Sequence, residues 1–119
     1  MSRESRAYLS LASNVTSQLL KLGGDIRVAR KRRQLSISAM AERMMVNPKT
    51  VQRMEKGDPT VGIGIVASAL WVLGLHRRLG DLVAPASDQV GLREEIDKLP
   101  RDFRRTRSQN AGKPDKFDF

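Results

Sequence analysis

The stretch from Leu35 to Gly57, LSISAMAERMMVNPKTVQRMEKG, constrains the fold more than any other part of this chain. Asn47-Pro48 is a helix start. An Asn side chain can cap the first free N–H groups, and Pro at the first helical position lacks an N–H that would have no helical partner there. Gly57 is the matching stop, because glycine enters the left-handed conformation without strain. A helix over Pro48 to Lys56 is therefore predicted. Upstream, Ser36 can cap a second short helix, Ile37 to Met44. Met40, Ala41 and Met44 fall on one face of that helix, Val51 and Met54 on the inner face of the next, and Val46 plugs the junction.

The other elements are predicted around this pair. Val15, Leu19, Leu22, Ile26 and Ala29 step by three or four and predict a helix that Ser13 or Asn14 caps. Gly23-Gly24 costs that helix roughly 1 kcal/mol per glycine relative to Ala, which allows a break there and leaves Asp25 to Arg33 as the unweakened part. A helix from Ile63 to Leu73 places Ile63, Val66, Leu70 and Leu73 on one face and stops at Gly74. Leu75, Leu79, Leu82 and Val83 predict a short fifth helix before Pro85, and Val90 to Leu99 holds room for one more before Pro100. No strand-like alternation or internal repeat stands out. The expected architecture is all-α, with an arm over 1–13, a five-helix domain over 14–84, and an extension over 85–119 whose basic tail is expected to be flexible and disordered beyond 100.

Charge points to a partner. Of 119 residues, 22 are Lys or Arg and 13 are Asp or Glu, a net charge of +9. The excess is +7 over residues 1–58, −1 over 59–100 and +3 over 101–119, so two basic regions flank an apolar middle. That distribution favours a polyanion, although solubility alone also makes many small proteins basic. With no Cys, disulfide scaffolds, thiolate zinc sites and Cys nucleophiles are excluded. The longest uncharged stretch, Pro59 to Leu75, is short for a membrane span and carries Gly62, Gly64 and Gly74. The N-terminus lacks the basic, apolar and small-residue sections of a secretory signal, so the expected location is cytoplasmic.

Two short helices joined by about three residues, with small Ala41 at their closest approach, describe a helix-turn-helix. The outer face of its second helix offers Lys49, Thr50, Gln52 and Arg53, all hydrogen-bond donors, with two cations able to neutralise phosphate. A solvated polar face is the plainer alternative.

At this point the chain resembles the Xre/Cro-type helix-turn-helix regulators related to lambdoid phage repressors. The resemblance covers Leu22 to Leu75. It is carried by Ile26-Arg27, Ala29-Arg30, Leu35-Ser36, Met40-Ala41-Glu42, Val46-Asn47, Val51, Glu55-Lys56-Gly57, Ala69-Leu70 and Leu73-Gly74-Leu75. It implies a lambda-repressor-like fold and a buried ion pair between Arg30 and Glu55. Pro48, Lys49, Thr50 and Arg53 match recognition-helix positions that in relatives face base edges or adjacent phosphates, and Arg53 and Lys49 are the expected base readers. Gln52 points to one side, toward adenine or toward nothing. Asn47, Lys56, Thr60, Arg27 and Lys31 complete the candidate contacts, with Arg32 and Arg33 beside them; a solvated helix end is the alternative for that last cluster. Two positions depart from the family. Met45 stands where glycine is usual, which implies a distorted turn or a contact. Ile37 stands where glutamine is usual, which leaves only its backbone N–H for a phosphate.

A narrower resemblance extends further. Gly57-Asp58-Pro59, Leu73-Gly74-Leu75, Asp81-Leu82, Asp88, and Leu99-Pro100-Arg101 with Arg104, Arg105 and Arg107 are similar to the HipB-type antitoxins of HipA-type kinase toxins. This implies a repressor that binds a palindromic operator in double-stranded DNA as a homodimer, autoregulates its operon and holds a HipA-like kinase inactive. A stand-alone repressor of prophage or restriction-controller type is the alternative. Candidate self or partner contacts are Trp71, Leu75, Leu79 and Leu82, unless Trp71 merely closes the core. Phe103, Phe117 and Phe119 in the tail are further candidates, to order on a partner; phosphate contacts by the tail arginines, or a degradable end, are the other readings.

Other classes find little support. His76 sits beside Arg77 and Arg78 with no nucleophile or orienting carboxylate at useful spacing, and nothing shapes a pocket around Asp81 and Asp88 or Glu94 and Glu95. Gly62-Ile63-Gly64 lacks the Lys and the preceding strand of a phosphate loop. The chain is read as a non-enzyme without metal or cofactor. An RNA binder would want exposed aromatics among basic residues, which only Phe103 beside Arg104 and Arg105 offers.

Overall fold

A computed structural model describes residues 11–100. They are all-helical: α1 (Ser13–Arg32), α2 (Ile37–Met44), α3 (Pro48–Glu55), α4 (Ile63–Val72), α5 (Arg77–Gly80), a 3-10 turn (Pro85–Ser87) and α6 (Gln89–Asp97), with no strand among them. The chain divides into two compact units at Leu79/Gly80. Among the described residues, no helix is long and apolar enough to cross a membrane.

The helix starts follow local chemistry. Ser36 Oγ accepts from the Ala39 N–H at 3.0 Å and begins α2. Asn47 Oδ1 accepts from the Lys49 N–H at 2.8 Å and begins α3, with Pro48 at its first position. For α1 the expected cap is corrected. Ala12 is the cap residue and makes no side-chain cap bond, while Ser13 and Asn14 lie inside the helix. The Ala12 carbonyl instead accepts from the N–H groups of Val15 and Thr16.

One device ends four helices. After α1, α2, α3 and α4 the chain turns through a left-handed residue: Gln34 (φ 56), Met45 (φ 59), Gly57 (φ 76) and Gly74 (φ 76). Each of these donates its N–H three residues back, to Lys31, Glu42, Met54 and Trp71. The next residue donates five residues back: Leu35 to Arg30, Val46 to Ala41, Asp58 to Arg53 and Leu75 to Leu70. This paired pattern is the Schellman motif, which satisfies helix-end carbonyls that otherwise lack partners. At Met45 the turn is regular and left-handed, so the distortion expected there is absent.

In the first unit, Ile26, Met40, Ala41, Met44, Val51, Met54, Ala69 and Leu73 form the buried core. Ala29, Leu35, Ile37, Val46, Ile65, Val66 and Leu75 are packed against it. α2 packs on α3 and α4, and α3 on α1. The break allowed at Gly23-Gly24 does not occur. A Cβ on Gly23 would stand 2.6 Å from the carbonyl oxygens of Met54 and Glu55. The favour is returned at Gly57, where a Cβ would stand 2.8 Å from Leu19 O and Leu20 N. The two glycines let α1 and the end of α3 touch backbone to backbone, so Gly23 serves close approach within an unbroken helix.

Two other expectations are corrected. Of the face expected for α4, Val66 and the cap residue Leu73 do pack in or on the core, but Ile63 is 73% exposed and Ile65 and Ala69 take the inward positions. The fifth helix is one turn long, and Leu82 and Val83 lie beyond it, exposed. In the second unit, Asp88 Oδ1 accepts from the Gly91 N–H at 2.9 Å and caps α6.

Candidate nucleic-acid interface

α3 is amphipathic by register. Val51 and Met54 are buried, whereas Lys49, Gln52, Arg53 and Lys56 are exposed. These four stand at i, i+3, i+4 and i+7, the spacing that lines side chains along one face. Thr50 is half-buried at the margin of that face. Pro48 and Asn47 are exposed at the N-terminus of α3, but the Asn47 side-chain oxygen already serves as the cap.

The opposite side of α3 is clamped. Arg30 Nε donates to Glu55 Oε2 at 2.7 Å and its Nη2 to Glu55 Oε1 at 3.0 Å, while Nη1 donates to the Leu35 carbonyl at 2.8 Å. Both side chains are only 6% exposed. One guanidinium thus ties α1, the α1–α2 turn and the end of α3 together. The hydrogen bonds from Arg30 to Glu55 raise the Arg30 pKa, outweighing the burial that lowers it, so the cation stays charged in the interior. Removing one partner of such a pair leaves a buried charge stranded.

Arg53 is exposed but not free. Its Nε donates to Asp58 Oδ2 at 2.9 Å and its Nη2 donates to the Thr60 hydroxyl. Asp58 Oδ1 accepts from the Thr60 N–H at 2.8 Å and from the Thr60 hydroxyl at 2.6 Å. The Thr60 bonds first, and Arg53 second, hold the Asp58 carboxyl down from 3.8 to about 2. Thr60, expected as a phosphate donor, has its hydroxyl engaged on both sides by Asp58 and Arg53. The sequence marks Asp58 only within Gly57-Asp58-Pro59, and its bond to Arg53 is not anticipated there. Its signal was local: an Asp two residues before a Thr, just after a helix-ending glycine, is an Asx-turn pattern that folds back on the last turn.

The remaining candidates spread out. Arg27 and Lys31 are exposed on α1, and Arg33 Nη1 donates to the Ala29 carbonyl at 2.8 Å. Ile37, expected to offer its N–H, has its side chain half-buried against the core at the first position of α2. Met45 projects beside the α2–α3 turn, 91% exposed. Trp71 is 65% exposed, which overturns the reading that it merely closes the core. Leu75, expected as a partner contact, is instead half-buried on the core, and Leu79 is half-buried. Leu82 is exposed in the second unit. Phe103, Phe117 and Phe119 lie outside the described residues. No family model, curated protein or solved structure matches this chain.

Proposed function

We propose that α2 and α3 form a helix-turn-helix and that the protein is a sequence-specific, double-stranded DNA-binding transcriptional regulator. One observation carries the reading: Lys49, Gln52, Arg53 and Lys56 line the open face of a short helix whose other face is fixed by Val51, Met54 and the Arg30–Glu55 pair. A rigid, narrow, cationic helix with polar donors along one side fits a major groove, where donors read base edges and cations balance phosphates. Lys49 and Arg53 are the base readers. Lys56, with Arg27 and Lys31 on α1, supplies phosphate contacts.

The test is a titration of a duplex over a series of salt concentrations. With three to five cations neutralising phosphates in each protomer, log K falls against log salt with a slope of about −2.7 to −4.5 per protomer. A flat salt dependence refutes the reading.

The reading includes a homodimer on a palindromic operator, with half-sites one helical turn apart. α4 carries no charged residue, yet Trp71 and Ile63 on it are exposed. A helix apolar all round wants cover on both sides, and large aromatics often anchor interfaces. Trp71→Ala is expected to shift the mass measured by light scattering from dimer toward monomer; an unchanged mass removes Trp71 from the interface. The resemblance over 57–107 supports the finer proposal of an antitoxin partnered by a HipA-like kinase. Co-purification with the product of the adjacent gene tests it, and an adjacent gene with no kinase-like product leaves the stand-alone repressor.

A further inference from the structure

We infer that Asp58 and Thr60 are positioning residues that set Arg53 to read a guanine, rather than leaving it to a phosphate. This rests on the proposal that α3 enters a DNA groove. A guanidinium has five N–H donors, and the bonds to Asp58 and Thr60 use two of them, one on Nε and one on Nη2. Both lie along the same side edge of the planar group. The three that remain include the end-on pair, one N–H from each Nη, pointing away from the side chain. That pair is the fork that matches the N7 and O6 acceptors of guanine in the major groove.

The bonds behind the fork remove freedom in advance. Arg carries several rotatable bonds, and ordering them on binding weakens association. Here the ordering is built into the fold. Gly57 turns left-handed, the Asp58 N–H returns to the Arg53 carbonyl, and the Asp58 carboxylate therefore stands beside the Arg53 side chain. The Thr60 hydroxyl accepts from Arg53 while donating to Asp58, so the three groups close a ring of complementary donors and acceptors.

Charge separates the two roles of Arg53. Asp58 offsets part of its positive charge and would itself face the negative backbone of a duplex, which makes the pair a poor phosphate anchor. A neutral base edge carries no such repulsion. The buttress therefore trades general affinity for discrimination.

Random-sequence duplexes are selected with the wild type and with Arg53→Ala, Asp58→Asn and Thr60→Val, each shown folded by its thermal melt. Selected sequences are then titrated with guanine or adenine at each half-site position, alongside one unrelated duplex. The wild type is expected to require guanine at one position, and Arg53→Ala to lose that requirement. Asp58→Asn lowers the guanine preference about tenfold at that position alone, and raises affinity for the unrelated duplex. Thr60→Val, which keeps the backbone N–H and the carboxylate, lowers the preference by less. Equal weakening on every duplex, or an undiminished guanine preference in both Asp58→Asn and Thr60→Val, overturns the buttress while leaving DNA reading intact. A wild type that enriches no sequence overturns DNA reading itself.

Discussion

Replacing Met45 by glycine should make this protein more stable, although it deletes a whole side chain. Met45 holds φ 59 and ψ 42, the left-handed region in which a side chain meets the following carbonyl. That conformation costs a non-glycine residue about 1–2 kcal/mol. The side chain is 91% exposed, so its removal opens no cavity and forfeits little packing. Against the gain stands the greater entropy that glycine loses on folding, about 0.5–1 kcal/mol. The balance is about 0.5–1 kcal/mol in favour of Met45→Gly, or about 4 °C in Tm for a domain of this size. Gln34, with φ 56 in the same motif, should respond alike. The two turns share no hydrogen-bond partner, so the double variant should show the sum. The mirror experiment uses the glycines. Gly74→Ala meets no atom within 4 Å and carries only the left-handed strain, whereas Gly57→Ala adds a collision with Leu19 O and Leu20 N at 2.8 Å and should lose distinctly more. Thermal melts and urea titrations of the series decide it. A Met45→Gly protein that melts below the wild type would refute the reasoning, because backbone strain would then not govern these turns.

Other substitutions probe the packing and the charges. Glu55→Ala strands the buried Arg30 and should cost about 3–5 kcal/mol in urea unfolding, while a paired apolar replacement of Arg30 and Glu55 should recover most of it. In α1, Gly24→Ala enters open space and should stabilise by about 1 kcal/mol, whereas Gly23→Ala collides with α3 and should destabilise, as paired melts will show. Asp58 is held near pH 2 in the folded state, below its ordinary 3.8, so its contribution is complete above about pH 4 and declines as pH falls toward 2. With partial exposure screening the interaction, that contribution is about 1 kcal/mol at most. Acid titration of unfolding free energy should show the wild type converging on Asp58→Asn between pH 4 and 2.

Much of the architecture was legible because it is encoded locally. Ser36, Asn47-Pro48 and Gly57 act through bonds that span two to five residues, and those helices lie close to where caps and stops put them. What escaped was decided by contacts between distant segments or by turns lacking their usual residue. Gly23 weakens a helix by any local scale, and only the carbonyls of Met54 and Glu55 pressing on it explain why α1 runs through. Gln34 carries no composition signal for a left-handed turn, yet takes one to close α1. Along α4, nearly every residue is apolar, so periodicity cannot choose a face: the spacing puts Ile63 inward, whereas Ile65 packs there. The polar stripe of α3 was visible from spacing. The tethering of Arg53 was not, because it depends on how Asp58 turns back after Gly57.

The clamp on α3 has a consequence for redesign. Val51, Met54 and Glu55 carry the attachment of this helix, while positions 49, 52 and 56 project into solvent with no partner that the fold requires. Substitutions at such places typically alter stability by less than about 0.5 kcal/mol. A library that randomises those three sites, holding the clamp unchanged, can therefore vary the exposed surface without spoiling the scaffold beneath. The helix behaves as a faceplate whose lettering can be rewritten while its screws stay tight.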